Sequence, residues 1–209
     1  MRYYSANDIN SMESRFRSNL INNISGYKPV NLIGTKSLSG NTNLAIFSSV
    51  VHLGANPPLL GFIMRPETVQ RHTLENIRET KYYTINHVHI EFLDKAHHTS
   101  AKYNKYISEF EVCGLTPFYH NEFSAPFVKE SKVQIGLQFL NELLIEENGT
   151  ILIIGKIECI NLAEEMIRPS GDLDLNLVDD VCISGLSTYH TVTELKQYLY
   201  ARPKSDLAL

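Results

Sequence analysis

The dipeptide Asn148-Gly149 constrains this chain more than any other feature of its sequence, because it sits between two runs with strand character. Asn and Gly tolerate the positive φ angles that a tight hairpin turn demands. Before the turn, Val133, Ile135, Leu137 and Phe139 alternate with other residues, the pattern of a half-buried strand. After it, Thr150 to Ile160 is again rich in β-branched residues. The pair is therefore an antiparallel hairpin, and the rest of the chain must be compatible with it.

The remaining elements agree. Ile9, Met12, Phe16, Leu20 and Ile24 recur at three- and four-residue steps and predict a helix from Asn7 to Ile24, ended by Ser25-Gly26. Val30 to Lys36 and Asn43 to Leu53 read as strands about a turn at Ser39-Gly40. Pro57-Pro58 breaks the chain, and Leu59 to Met64 is a short apolar strand. Glu67 to Lys81 is a second predicted helix, with Pro66 just before its first turn, and Tyr82 to Val88 returns to strand. From His89 to about Lys132 the composition is polar and aromatic with Gly114, Pro117 and Pro126, so loops with short helical turns are expected, suited to shaping a pocket. Beyond the hairpin, Leu162 to Asp180 is acidic and weakly patterned, Val181 to Ser184 is a last strand, and Thr193 to Leu199 a short terminal helix. This order lacks the regular βαβ alternation of a doubly wound sheet. It predicts a mainly β fold, an antiparallel barrel with peripheral helices.

At 209 residues and 43% hydrophobic, the chain can bury one substantial core. One domain is expected, with an N-terminal helix over residues 1–26, a barrel core over 27–162 and a C-terminal extension over 163–209. A net charge of -4 offers no excess of cations for binding a nucleic-acid backbone. Three cysteines without C-x-x-C spacing, Cys113, Cys159 and Cys182, suggest neither a disulfide framework nor a zinc site. With no apolar leader at Met1-Arg2-Tyr3-Tyr4-Ser5 and no run of about 18 apolar residues, a soluble cytoplasmic protein away from membranes is expected.

Neither a dinucleotide-binding G-x-G-x-x-G, nor a P-loop, nor G-x-S-x-G is present. His87 and His89 would point the same way from a strand and could ligate a metal, as could His97-His98, but no third ligand is convincingly spaced, so no metal is expected. The informative stretch runs from Gly34 to Asn86. It holds Thr35-Lys36-Ser37, the small and polar Gly40 to Val50 run, Asn56 to Phe62, and Arg71 to Ile77. Backbone groups along such a strand edge can meet the pyrimidine side of an isoalloxazine, and hydroxyls and amides can meet a ribityl chain. Arg65, Arg71 and Thr73 lie near a helix start, where orphan N–H groups favour an anion. The same residues also fit a plain hairpin with a solvated Ser/Asn face and an ordinary helix.

Taken together, Gly-x-x-Asn-x-Ala-x-Phe-Ser, Pro-Pro-Leu-Leu, Thr-Leu-x-Asn-Ile-x-Glu-Thr and Tyr-Tyr-Thr-Ile-Asn closely resemble, in order and spacing, the pattern of the flavin-reductase-like FMN-binding split-barrel proteins. Ser108 to Glu111, Cys113 to Thr116 and Gly155 to Ile157 extend the resemblance from about Val30 to Ile160. The resemblance implies an FMN-binding split barrel in which Thr35, Asn43, Ala45, Ile46, Phe47, Ser48 and Ser49 line the ring and ribityl chain while Arg65 and Thr73 hold the phosphate. Ile46 stands where the family often has proline, and His72 where it often has an acidic residue. It further implies non-covalent FMN with no catalytic side chain of the protein's own, NAD(P)H as co-substrate, electrons passed to a flavin, a partner oxygenase or oxygen, and a homodimer. The aromatics between Tyr103 and Tyr119 suit either a dimer contact or packing within one chain. An FMN-bound electron carrier with little NAD(P)H oxidation, or a non-flavin module on the same barrel, are the rival expectations.

Overall fold

In the computed structural model, which describes residues 1–202, two N-terminal helices precede a strand-rich body. The elements in chain order are α1 (Ala6–Ser11), α2 (Ser14–Ile24), β1 (Lys28–Pro29), β2 (Asn31–Lys36), β3 (Thr42–Phe47), β4 (Val51–Ala55), β5 (Pro58–Met64), α3 (His72–Thr80), β6 (Tyr82–His87), α4 (Leu93–His98), α5 (Glu109–Val112), β7 (Pro117–Phe118), β8 (Phe127–Val128), β9 (Gln134–Ile145), β10 (Thr150–Asn161), α6 (Leu175–Val178), β11 (Val181–Ser184) and β12 (Thr188–Thr191). The hairpin about Asn148-Gly149 forms as β9 and β10, with Gly149 at φ 72°.

Seven strands form one sheet in the order β3-β2-β6-β9-β10-β5-β4, every neighbouring pair antiparallel. The two edge strands, β3 and β4, are consecutive in the chain and joined by Ser48, Ser49 and Val50 alone. A flat sheet of seven strands at about 4.8 Å spacing would hold its edges about 29 Å apart. The four Cα steps from Phe47 to Val51 reach at most about 14 Å. The sheet must therefore curl until its edges meet, and Ser49 Oγ pins the junction by bonding both the C=O and the N–H of Ile63, each at 3.1 Å.

Curling gives the sheet an inside and an outside. The cross-strand row Ile33, Ile85, Ile135 points inward with Phe62, Tyr83, Leu137 and Ile153, and α3 adds Leu74 and Ile77 to this core. The alternate residues Leu32, Leu44 and Val88 face outward and are covered by Phe92, Ala96 and Phe110 of the intervening helical turns, with Val128, Val181 and Ile183. A third row, Gly34, Thr84 and Gly136, runs across β2, β6 and β9 with almost no side chain. Into this trough falls the segment leading to β8. A Cβ at Gly34 would lie 2.3 Å from Pro126 O, one at Gly136 2.8 Å from Phe123, and Thr84 Oγ1 donates to Pro126 O at 2.7 Å. Asn86 completes the seam by accepting the N–H of Val128 at 2.9 Å. The segment after the barrel also packs in, with Met166 and Val178 in the inner core and β11 paired to β1 and β12.

Four expectations about local structure are corrected. The helix expected over 7–24 is two helices, because Glu13 accepts the N–H groups of Arg15 and Phe16 at 2.9 and 2.8 Å and so caps a fresh start, while Met12 is extended. The strand expected over 43–53 is split where the chain crosses from one sheet edge to the other. The second helix begins at His72 rather than Glu67: Arg71 Nε donates back to Pro66 O at 3.2 Å, which holds residues 66–71 as a turn. The terminal helix over 193–199 does not form, since Leu195 and Leu199 are exposed and a helix that short has little stability without a packed face.

Candidate functional site

Because β3 is an edge strand, half of its backbone groups face away from the ladder. Leu44 N–H points outward and is taken by the buried carboxylate of Glu109 at 2.9 Å. By the alternation of an antiparallel ladder, the N–H of Ile46 faces the same edge. The side chains alternate in the same way: Asn43, Ala45 and Phe47 share the barrel side with Thr35, and Phe47 packs edge-on against Phe62 at 5.0 Å. Leu44 and Ile46 belong to the outer core.

Thr35 and Asn43 are register partners, and α3 lies across them. Asn43 Nδ2 donates to Thr73 Oγ1 at 3.1 Å and Asn76 Nδ2 to Thr35 Oγ1 at 3.0 Å. All four residues are buried, so their polar side chains form one buried cluster. It is tied to the start of a nine-residue helix whose N-cap, Arg71, makes no side-chain capping bond, so first-turn N–H groups there are without the usual partner. A narrow polar cleft opens onto the cluster, lined by Ser37, Asn41, Thr42, Asn43, His72, Asn76 and Lys105. Its wall is closed by the hydroxyl pair Thr42 and Ser108 at 2.6 Å.

Of the residues singled out by sequence, the structure brings together Thr35, Asn43 and Thr73, with Ala45 and Phe47 further along the same strand face. Ile46 turns its side chain to the other face and offers only backbone here. Ser48 and Ser49 lie in the β3–β4 link, where the Ser49 hydroxyl is engaged with β5. Arg65 is exposed after β5 and makes no hydrogen bond or ion pair among the described residues. Sequence reasoning missed Asn76, which shares a helix face with Thr73, and also Lys105 and Glu109, which come from a loop and helix that spacing alone does not relate to the strand. The histidines find ordinary partners: His87 Nδ1 sits 2.6 Å from Asp180, His89 Nε2 2.9 Å from Glu130 O, and His97 Nδ1 2.8 Å from Tyr189. Among the described residues no group of three or more His, Cys, Asp or Glu could hold a metal ion. A wider concavity beside α1, lined by Tyr3, Tyr4, Met12 and Phe16, gathers no buried polar side chain.

Burial pushes the Glu109 carboxyl above the usual carboxylate range, against the pull of the Leu44 N–H. The folded chain thus holds this proton more tightly than the unfolded chain, so the group's contribution to stability is complete below its ordinary value of 4.5 and is lost as pH rises through the raised folded value. Glu109→Gln keeps an acceptor for Leu44 and removes that decline. Urea midpoints of both proteins between pH 4 and 7 should diverge in favour of the variant as pH rises, and a wild type that gains on the variant over that interval rejects the assignment.

A curled antiparallel sheet split at its β3–β4 junction, with a polar cluster at one end, makes this a split barrel. The chain belongs to the flavin reductase like domain family, whose model matches residues 27–178. A split-barrel domain protein from Shewanella frigidimarina, provisionally named a flavin reductase, superimposes with a TM-score of 0.92 at 47% identity over 96% of this chain and 100% of its own. Nitrilotriacetate monooxygenase component B from Bacillus cereus shares the fold, with a TM-score of 0.83 at 20% identity over 95% of this chain and 98% of that one. An uncharacterised Aquifex aeolicus protein is 30% identical over 161 residues, 70% of this chain and 80% of its own. No helix among the described residues is long and apolar enough to cross a membrane.

Proposed function

We propose that the chain binds FMN without a covalent link along β3 and acts as an NAD(P)H-dependent flavin reductase. The observation that carries this reading is the buried cluster Thr35, Asn43, Thr73 and Asn76 at the uncapped start of α3, beside an open strand edge. That donor set fits the group: edge backbone such as Ile46 N–H for the pyrimidine side, hydroxyls and amides for the ribityl chain, helix N–H groups and cations for the phosphate. Thr35, Asn43, Ala45, Ile46, Phe47, Ser48 and Ser49 would hold the ring and chain. Thr73 would meet the phosphate, and exposed Arg65 would supply charge at its approach.

When bound, the flavin supplies the hydride and electron chemistry; the chain's own residues orient it and keep water from one face. Phe47, fixed edge-on against Phe62, holds an apolar floor beside the strand. Asn43 is locked by Thr73 and so presents its remaining amide atoms in one orientation, which is how a site gains rate without a protein acid or base. The electrons would go to another flavin, a partner oxygenase or oxygen. A homodimer is part of the same reading, supported by Tyr106, Phe118 and Tyr119, which remain exposed while Phe110 of the same segment is buried; the cytoplasm is the compartment the reading assigns.

Purified protein is expected to carry or take up FMN, to lose its visible flavin absorbance when NADH or NADPH is added without oxygen, and to sediment as a dimer. Folded protein that ignores micromolar FMN ends the flavin assignment. Bound flavin that dithionite reduces and neither nicotinamide reduces assigns the chain to electron carriers instead.

A further inference from the structure

The mouth of the polar cleft is spanned by two opposite charges that are thirty residues apart in the chain. Lys105 Nζ, in the loop between α4 and α5, stands 2.6 Å from Glu75 Oε2 in the first turn of α3. Gln70 donates to the same oxygen at 3.2 Å. Both charged side chains keep about a third of their surface exposed, 39% and 32%, so the pair adds little to the stability of the fold. Its placement is what is informative. Lys105 lines the cleft together with His72, Asn43 and Asn76, and the two amides are more than nine-tenths buried, each making one side-chain bond through its NH2 with a second N–H to spare. An anion entering the cleft meets the α3 N-terminus and this ammonium at once, and it meets Glu75 as a competitor for the ammonium.

Burial pushes the Glu75 carboxyl up, but hydrogen bonds from Lys105 and Gln70 outweigh it and hold the group below its usual range; the same contact holds Lys105 above its own. Both are therefore charged at neutral pH. A carboxylate carries one negative charge and a phosphomonoester between one and two, with three oxygens that can accept several of the waiting donors together.

Resting on the FMN reading above, we infer that Glu75 and the cofactor's phosphate compete for Lys105, so that this pair sets how strongly the site prefers FMN over riboflavin. Lys105 is the cation that the phosphate captures. Glu75 is an internal rival that lowers FMN affinity while holding the 101–108 loop against α3.

The test is titration of the full chain with FMN and with riboflavin, followed by quenching of flavin fluorescence, for wild type, Lys105→Met, Glu75→Gln and the double variant. Lys105→Met should weaken FMN by about tenfold, and Glu75→Gln should tighten it by about threefold, since charge-assisted bonds are the strong ones in such a site. Riboflavin affinity should stay within about twofold of wild type in all variants, which also reports that each has folded. The double variant should match Lys105→Met, because Glu75 acts only through that ammonium. Glu75→Gln that weakens FMN, or variants that leave the FMN-to-riboflavin ratio of the wild type unchanged, overturn the competition while the FMN site stands. A wild type that binds neither flavin removes both.

Discussion

Gly155→Ala is expected to cost the fold about 3 kcal/mol or more, a large effect for a single added methyl group. Gly155 lies in β10 at a register shift against β9, and Tyr83 of β6, fully buried, points its ring at it from inside the barrel. A Cβ there would fall 2.1 Å from the Tyr83 hydroxyl oxygen, 2.9 Å from Cζ and 3.1 Å from Cε1. A buried ring cannot give way as a flexible chain end could, because Phe62 packs against it at 5.7 Å. Burial also pushes the Tyr83 hydroxyl well above its ordinary pKa, and its oxygen has no hydrogen-bond partner among the described residues. Tyr83→Phe should accordingly be neutral or stabilising by about 1 kcal/mol, since the hydroxyl's desolvation is not repaid. In that background Gly155→Ala should lose only part of its penalty, because the clash with Cζ survives. Urea unfolding of the three variants measures this, and a Gly155→Ala protein as stable as wild type would show that the strand can shift away from the ring.

The largest expected effect on binding belongs to Asn43→Asp. Shape is conserved and Thr73 Oγ1 can donate to the new carboxylate, so the fold should hold. The site, however, gains a buried negative charge beside the place assigned to a phosphate. FMN should lose about 3 kcal/mol, on the order of 100-fold in dissociation constant, with riboflavin losing clearly less. Equal losses for both flavins would show that the phosphate does not lie beside the Asn43–Thr73 pair.

Much of this was legible in residues. Alternation through Val133 to Phe139 and the Asn148-Gly149 turn announced the central hairpin, and Val181 to Ser184 formed a strand as expected, although not the last one, since β12 follows and pairs with it. Periodicity failed where a side chain capped the backbone midway: the stripe from Ile9 to Ile24 is real, yet Glu13 restarts the helix inside it. It failed again at Ser48 to Val50, because strand propensity says nothing about a chain changing edges of a sheet. The polar cluster was half legible. Thr35, Asn43 and Thr73 were marked by their motifs, whereas Lys105 and Glu109 come from the segment between α4 and the end of α5 and meet the site only through long-range contacts, Lys105 with Glu75 and Glu109 with the N–H of Leu44, that no single stretch of sequence displays.

The three-residue link between β3 and β4 also bears on how the chain is made. It delivers β4 and β5 to the far side of the sheet early, but only one edge of β5 is met by β4; the other pairs with β10, so Met64 waits for Ile151 and Leu59 for Lys156, some ninety residues further on. During synthesis at about 5–20 residues per second, the apolar edge of Pro58–Met64 stays unpaired for several seconds. Non-local pairing of this kind is slow to form and exposes a ready template to other nascent chains. Slower elongation or higher expression should therefore divert this barrel into aggregates through one identifiable strand, and chaperone dependence in the cell should track the time taken to reach β10.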